Sequence, residues 1–167
     1  MADLTFMPGS DECTAFVGWW SALSQDRGGR ANLRRCSSVD EAMQERSVVY
    51  LCLKLGVGGA DYIRDRVGMM ALLAARATHR PGSHPAAAFA KPKSGSVGGG
   101  PVVSELRFRR LLGAEDRDEF LPLLRRAITL AGGEVDLESL AQSIWFWIER
   151  TRREWADQYY RLATLKN

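Results

Sequence analysis

Arginine is the residue type in this chain with the most chemistry to offer. Arg27, Arg30, Arg34 and Arg35 fall within nine residues, RGGRANLRR, and no acid follows until Asp40. Further groups are Arg107, Arg109 and Arg110, then Arg125 and Arg126, then Arg150, Arg152 and Arg153. A guanidinium is a rigid fork that pairs bidentately with phosphate or carboxylate and stacks on bases, where lysine is a point charge. Of 23 basic residues, 19 are arginine. A coding sequence rich in G and C would explain that bias by itself, so placement has to decide. Any one group could be a solvated or ion-paired face, and Glu149 and Glu154 are near enough in sequence to pair within the last group. Four groups, the first without a local acid, point to an anionic partner.

Other chemistries lack their parts. His79 and His84 are the only histidines, and both fall beside prolines in an irregular stretch where a base would be hard to hold. Cys13, Cys36 and Cys52 are an odd number with no CxxC spacing, so neither a zinc site nor a disulfide framework is expected. GVGGAD at Gly56 and GSVGGG at Gly95 lack the strand and lysine of a phosphate loop. Asp116, Asp118 and Glu119 cluster where a helix should begin, which suits the dipole better than a nuclease site. The expectation is a chain without catalytic residues, metal or cofactor.

The elements that position these arginines read as helices. Ser10 or Asp11 can cap a first helix with Phe16, Trp20 and Leu23 on one face, and Trp19 and Trp20 are expected in the core. If 29–35 is helical, Arg27, Arg30 and Arg34 share a face and Leu33 turns inward. A helix is predicted over 40–55, apolar all round after Val48 and so central. Another is predicted over 61–78, with Ile63, Val67, Met70, Ala74 and Ala77 in register. Ser104 opens ELRFRRLL, closed by Gly113, and Asp116 or Asp118 opens the next, which tolerates Pro122 in its first turn. From Asp136 an apolar stripe through Ile144, Ile148, Trp155, Tyr159 and Leu162 predicts one long helix or two with a slight break. No stretch alternates at period two, so the class is all-α: a compact helical bundle of about seven to nine helices.

Between these parts the texture changes. HRPGSHPAAAFAKPKSGSVGGGP holds four prolines and five glycines, and 66–104 holds no acid. This composition reads as a mobile basic loop over 80–103, carrying Lys91 and Lys93, that joins an N-terminal half, 10–79, to a C-terminal half, 104–165, in one domain. Net charge is +3 and the most apolar run, VVYLCLKL, is interrupted by Lys54 and far below the about 20 residues that span a bilayer. The N-terminus lacks a signal-peptide pattern, and a reducing, cytoplasmic setting is expected.

Three segments, FVGWWSALSQDRGGRANLRRCSSVDEAM, SELRFRRLLGAEDRDEFLPLLRRAITLAGG and LAQSIWFWIERTRREWADQYY, resemble the small subunit of Cascade, the type I-E CRISPR surveillance complex (the CasB family), over about half of the chain. The resemblance implies an all-α subunit without catalysis, present as two copies, a homodimer within the complex. It would lie beside the guide crRNA among other Cascade subunits and hold target and displaced DNA strands to stabilise the R-loop in antiviral defence. It also implies that Arg34 and Arg35 contact nucleic acid with Arg27 and Arg30 in support, that Arg107 and Arg110 do so more directly than Arg109, and that Arg125, Arg126, Arg152 and Arg153 touch nucleic acid or a neighbouring subunit. The alternative reading is a helical protein-interaction module with acidic partners, using its aromatic C-terminal helix as the interface.

Overall fold

The computed structural model describes residues 4–95 and 98–164. Position 165 of the expected C-terminal half and positions 96 and 97 of the expected loop lie outside the described residues.

Polar caps set most helix starts by satisfying amides that have no partner inside the helix. Ser10 accepts from the Cys13 amide and opens α1 (Asp11–Gln25), Asp26 accepts from Gly29 and opens α2 (Arg27–Arg35), and Ser38 accepts from Glu41 and opens α3 (Val39–Ala42). Next come α4 (Arg46–Lys54), α5 (Asp61–Ala74) and the short α6 (Pro85–Phe89). Ser104 caps α7 (Glu105–Gly113) and Asp116 caps α8 (Arg117–Leu130). The series ends with α9 (Leu137–Trp145) and α10 (Glu149–Thr164), ten helices among the described residues. The all-α class expected from the sequence is borne out. The count exceeds the expected seven to nine because 40–55 divides into α3 and α4 and because α6 forms. The only strands among the described residues are β1 (Thr78–His79) and β2 (Glu134–Val135), a parallel pair with Thr78 opposite Glu134.

The described chain divides into two compact units. Unit 1 holds the residues up to Arg76 together with Leu137–Trp145, and unit 2 holds Ala77–Asp136 together with the residues from Phe146 onward. In unit 1 the second half of α5 is buried from Val67 to Ala74. Gly68 lets α3 lie close on it, because a Cβ there would sit 2.9 Å from Met43 Sδ and 3.0 Å from Val39 Cγ1. Helix α9 packs on α1 and α5, and its Trp145 meets the Phe6 ring at 4.8 Å.

Two expectations for this unit need correction. Trp19, not Trp20, faces the core of α1, stacking on Phe16 and donating its indole N–H to the Ser47 carbonyl at 2.8 Å. Helix α4 is not surrounded by core: Val48, Leu51 and Cys52 are buried, but Tyr50 is 56% and Leu53 73% exposed. Its restart at Arg46 sets a register in which one face looks outward.

Unit 2 is organised by the aromatic face of α10. Trp155 is fully buried and meets His84, Phe89 and Trp147 edge to face at 5.7, 5.9 and 5.1 Å. Tyr159 stacks on Phe108 and donates its hydroxyl to the Val103 carbonyl at 2.7 Å. Burial pushes this phenol up to about 12, so it keeps the donated proton at neutral pH. Because these rings form the unit's own core, they are not the exposed interface of the alternative reading. The expected stripe breaks at Phe146, whose carbonyl accepts from the Thr151 hydroxyl, and Ile148 is left 54% exposed between α9 and α10.

The segment 80–103 differs from the loop expected of it. Pro85 occupies the first position of α6, where proline is favourable, and Ala86, Ala88 and Phe89 are buried. Farther on, Pro92 and Pro101 form an antiparallel bridge, with Val102 donating to the Lys91 carbonyl at 2.8 Å. Tertiary burial, not periodicity, makes this structure.

His84 caps α6 by accepting from the Ala86 amide through Nδ1 at 3.1 Å, which the ring can do only while that nitrogen is unprotonated. Burial lowers its pKa, against the opposing pull of Glu154 and Asp136. A depressed folded-state pKa means that this contribution is complete above the unfolded value of about 6.5 and is lost as pH falls below it. Urea unfolding between about pH 5 and 7 should show this acid-side loss in the native chain. In His84→Asn, which keeps a cap acceptor without titrating, the loss should be absent; the same loss in both proteins would disprove the assignment.

Candidate nucleic-acid interface

In unit 1 the site is built at the end of α5. Helical spacing puts Arg30 and Arg34 on one face of α2, with Leu33 fully buried between them. Both arginines donate Nε–H to one acceptor, the Ala75 carbonyl, at 3.0 and 2.9 Å. Ala75 is the C-cap of α5, so the two cations sit at the negative end of that helix dipole. Burial, and then the nearby charge of Arg34, lower the pKa of Arg30. Arg76 adds a third guanidinium, with Nη2 donating to the Arg34 carbonyl at 2.6 Å. None of the three has a carboxylate partner among the described residues. Arg27 is exposed at the start of α2, and Arg35 is exposed with Nη2 on Asn32 Oδ1 at 3.0 Å.

In unit 2, α7 packs on α8. Arg107 and Arg110 from the first helix and Arg126 from the second line one cleft of about 80 Å³, together with Val103, Leu123 and Leu130. These three arginines also lack carboxylate partners among the described residues. Arg109 points elsewhere, into a closed set with Glu105 at 3.0 Å and the Tyr160 hydroxyl at 3.4 Å, so its charge is matched locally. Arg125, one residue from Arg126, is half-buried and does not line the cleft.

The last group divides as well. Arg152 is half-buried, donates Nη2 to the Ala114 carbonyl at 3.2 Å, and lies over the Trp147 ring at 5.8 Å. Arg153 is exposed. The histidines are held more firmly than their composition suggests, His84 as the cap of α6 and His79 with Nδ1 3.9 Å from Asp136. Among the described residues no group of three or more His, Cys, Asp or Glu could hold a metal ion, and no helix is long and apolar enough to cross a membrane. Sequence reasoning missed Arg76 as a site residue, because it stands alone in sequence and gains its neighbours only when α5 ends against α2. The helix predicted over 61–78 ran past it, whereas α5 ends at Ala74 and leaves Arg76 just beyond the C-cap Ala75.

Two helical units presenting arginines without carboxylate partners among the described residues define an all-α class of protein. The family model of CRISPR-associated protein Cse2 matches residues 29–160, and the chain belongs to that family. CasB from Thermus thermophilus is similar in structure, with a TM-score of 0.69 and 26% identity over 91% of this chain and 99% of that one. A chain in the crystal structure of E. coli Cascade bound to a PAM-containing dsDNA target has the same fold, with a TM-score of 0.67 and 21% identity over 94% of this chain and 98% of that one. No curated protein matches. The family resemblance drawn from the three sequence segments is borne out.

Arg152 and Arg153 should separate in experiment. Arg152→Ala, which removes a hydrogen bond and a cation–π contact, should lower unfolding free energy by about 1–2 kcal/mol. Arg153→Ala should stay within about 0.5 kcal/mol of the native chain, as exposed substitutions do. Equal stabilities by urea titration would contradict this division.

Proposed function

We propose that this chain is the non-catalytic small subunit of a type I-E Cascade complex in the cytoplasm. In this reading it contacts guide RNA and the target or displaced DNA strand and stabilises the R-loop in antiviral defence. The observation that carries the reading is the pair of arginine sets, Arg30 with Arg34 and Arg107 with Arg110 and Arg126, which have no carboxylate partner among the described residues. Membership of the Cse2 family and the fold shared with a chain of DNA-bound E. coli Cascade support it. Base pairing to the guide reads sequence in such complexes, so an accessory subunit has only to neutralise backbone charge. R-loop formation is a nearly balanced exchange, and modest contacts to a strand backbone can tip it.

A second observation favours protein contact as well. Val49, Tyr50 and Leu53 are exposed on α4 beside a unit 1 groove of about 980 Å³, a face suited to a neighbouring subunit or a second copy of this chain. The assembly is tested by recovering the tagged protein from its native host: larger proteins and a short, discrete guide RNA should accompany it, and their absence would refute it.

The isolated chain should bind single-stranded oligonucleotides without sequence preference, with affinity falling as salt rises, at a log–log slope of about −0.7 per phosphate neutralised. Reversing Arg34 and Arg35 together to Glu should abolish retention on such an oligonucleotide and leave the circular dichroism helical. Triple reversal of Arg107, Arg110 and Arg126 should weaken it in the same way. Native-like retention by both variants would leave the protein-interaction reading in its place.

A further inference from the structure

We infer that Arg76 completes, with Arg30 and Arg34, a three-guanidinium cradle for one phosphodiester group of a nucleic-acid strand. The inference rests on the proposed nucleic-acid role and adds to that site a residue from a different helix end. Arg30 and Arg34 each commit one N–H, that of Nε, to the single Ala75 carbonyl, and Arg76 commits one Nη2 hydrogen to the Arg34 carbonyl. A guanidinium carries five N–H donors, so most of the donors in the cluster remain available, on groups whose positions are already set. The three acceptor bonds go to neutral carbonyls. They fix direction without cancelling charge, and no carboxylate partners any of the three among the described residues.

Arg30 and Arg34, held on one acceptor, repel each other until an anion joins them. Burial and the charge of Arg34 already act on Arg30 in the sense that such crowding requires. A planar carboxylate is satisfied by one fork. A phosphodiester offers tetrahedrally disposed oxygens and suits donors arriving from two chain segments, α2 and the residue just past α5. An acidic peptide is the competing occupant.

The test uses the full chain and fluorescent oligothymidylate. Arg76→Gln should weaken binding about tenfold at low salt, the value of one charge-assisted contact, and should reduce the salt slope by about 0.7. Arg34→Gln should do the same. The double variant should lose less than the sum of the two, because both residues serve one phosphate. Arg161→Gln, whose native guanidinium is matched by Asp157 at 2.6 Å, should bind as the native chain does. If Arg76 only held the end of α2, Arg76→Gln would lower the melting temperature and leave the salt slope unchanged, which overturns the inference. If Arg34→Gln also bound like the native chain, the nucleic-acid role of α2 would fall as a whole. A weakened Arg34→Gln beside a fully active Arg76→Gln would remove Arg76 alone. Binding of labelled poly-glutamate, weakened by Arg76→Gln, with no binding of oligothymidylate by the native chain, would overturn the inference and assign the cradle to an acidic peptide. Should Arg76→Gln fail to fold, Arg76→Lys should keep the slope and lose affinity, and unchanged affinity there would overturn the inference too.

Discussion

The last carbonyls of an α-helix have no amide partner inside it and carry the negative end of its dipole. In this protein those carbonyls organise the arginines. The C-cap carbonyl of α5 holds Arg30 and Arg34, the last turn of α2 holds Arg76, and the C-cap of α7 holds Arg152. A carbonyl orients a guanidinium yet leaves its formal charge intact, whereas a carboxylate orients and neutralises it. Arg80, Arg109 and Arg161 follow the second pattern, with Glu134, Glu105 and Asp157. Whether these oriented guanidinium groups keep an unmatched charge therefore depends on the chemistry of the oxygen they meet, and local sequence density does not report it.

Rigid helices suit that arrangement. The buried rings around Trp155 and the stack of Phe108 on Tyr159 fix α10 and α7 within unit 2, and so set the direction from which Arg107 and Arg110 enter their cleft. A contact that must accept any base sequence gains from such fixed forks, because donors aimed at a backbone need not adapt to the bases beside it.

The helix starts were legible because their caps are local: Ser10, Ser104 and Asp116 do in the structure what their residue types suggest. The shared face of Arg30 and Arg34 was legible for the same reason, since it needs only helical spacing. Helix α6 was not, because five residues opened by proline have no periodicity to read, and burial against α8 and α10 makes them helical. The outward face of α4 was hidden because Tyr50 and Leu53 look like core residues and their exposure depends on a register set at Arg46. Arg76 was hidden because its neighbours are more than forty residues away in the chain and meet it only where one helix ends.

The assignment of α9 to unit 1 has a consequence for how the chain is made. The segments on either side of Leu137–Trp145 belong to unit 2, so the two units are interleaved along the polypeptide and no single cut would release both intact. During synthesis, α1 and α5 are complete long before the helix that packs on them emerges. Until then the surfaces that will receive Ile144 and Trp145 stand open to water, and the first unit to begin folding has to wait for nearly the whole chain before it can finish.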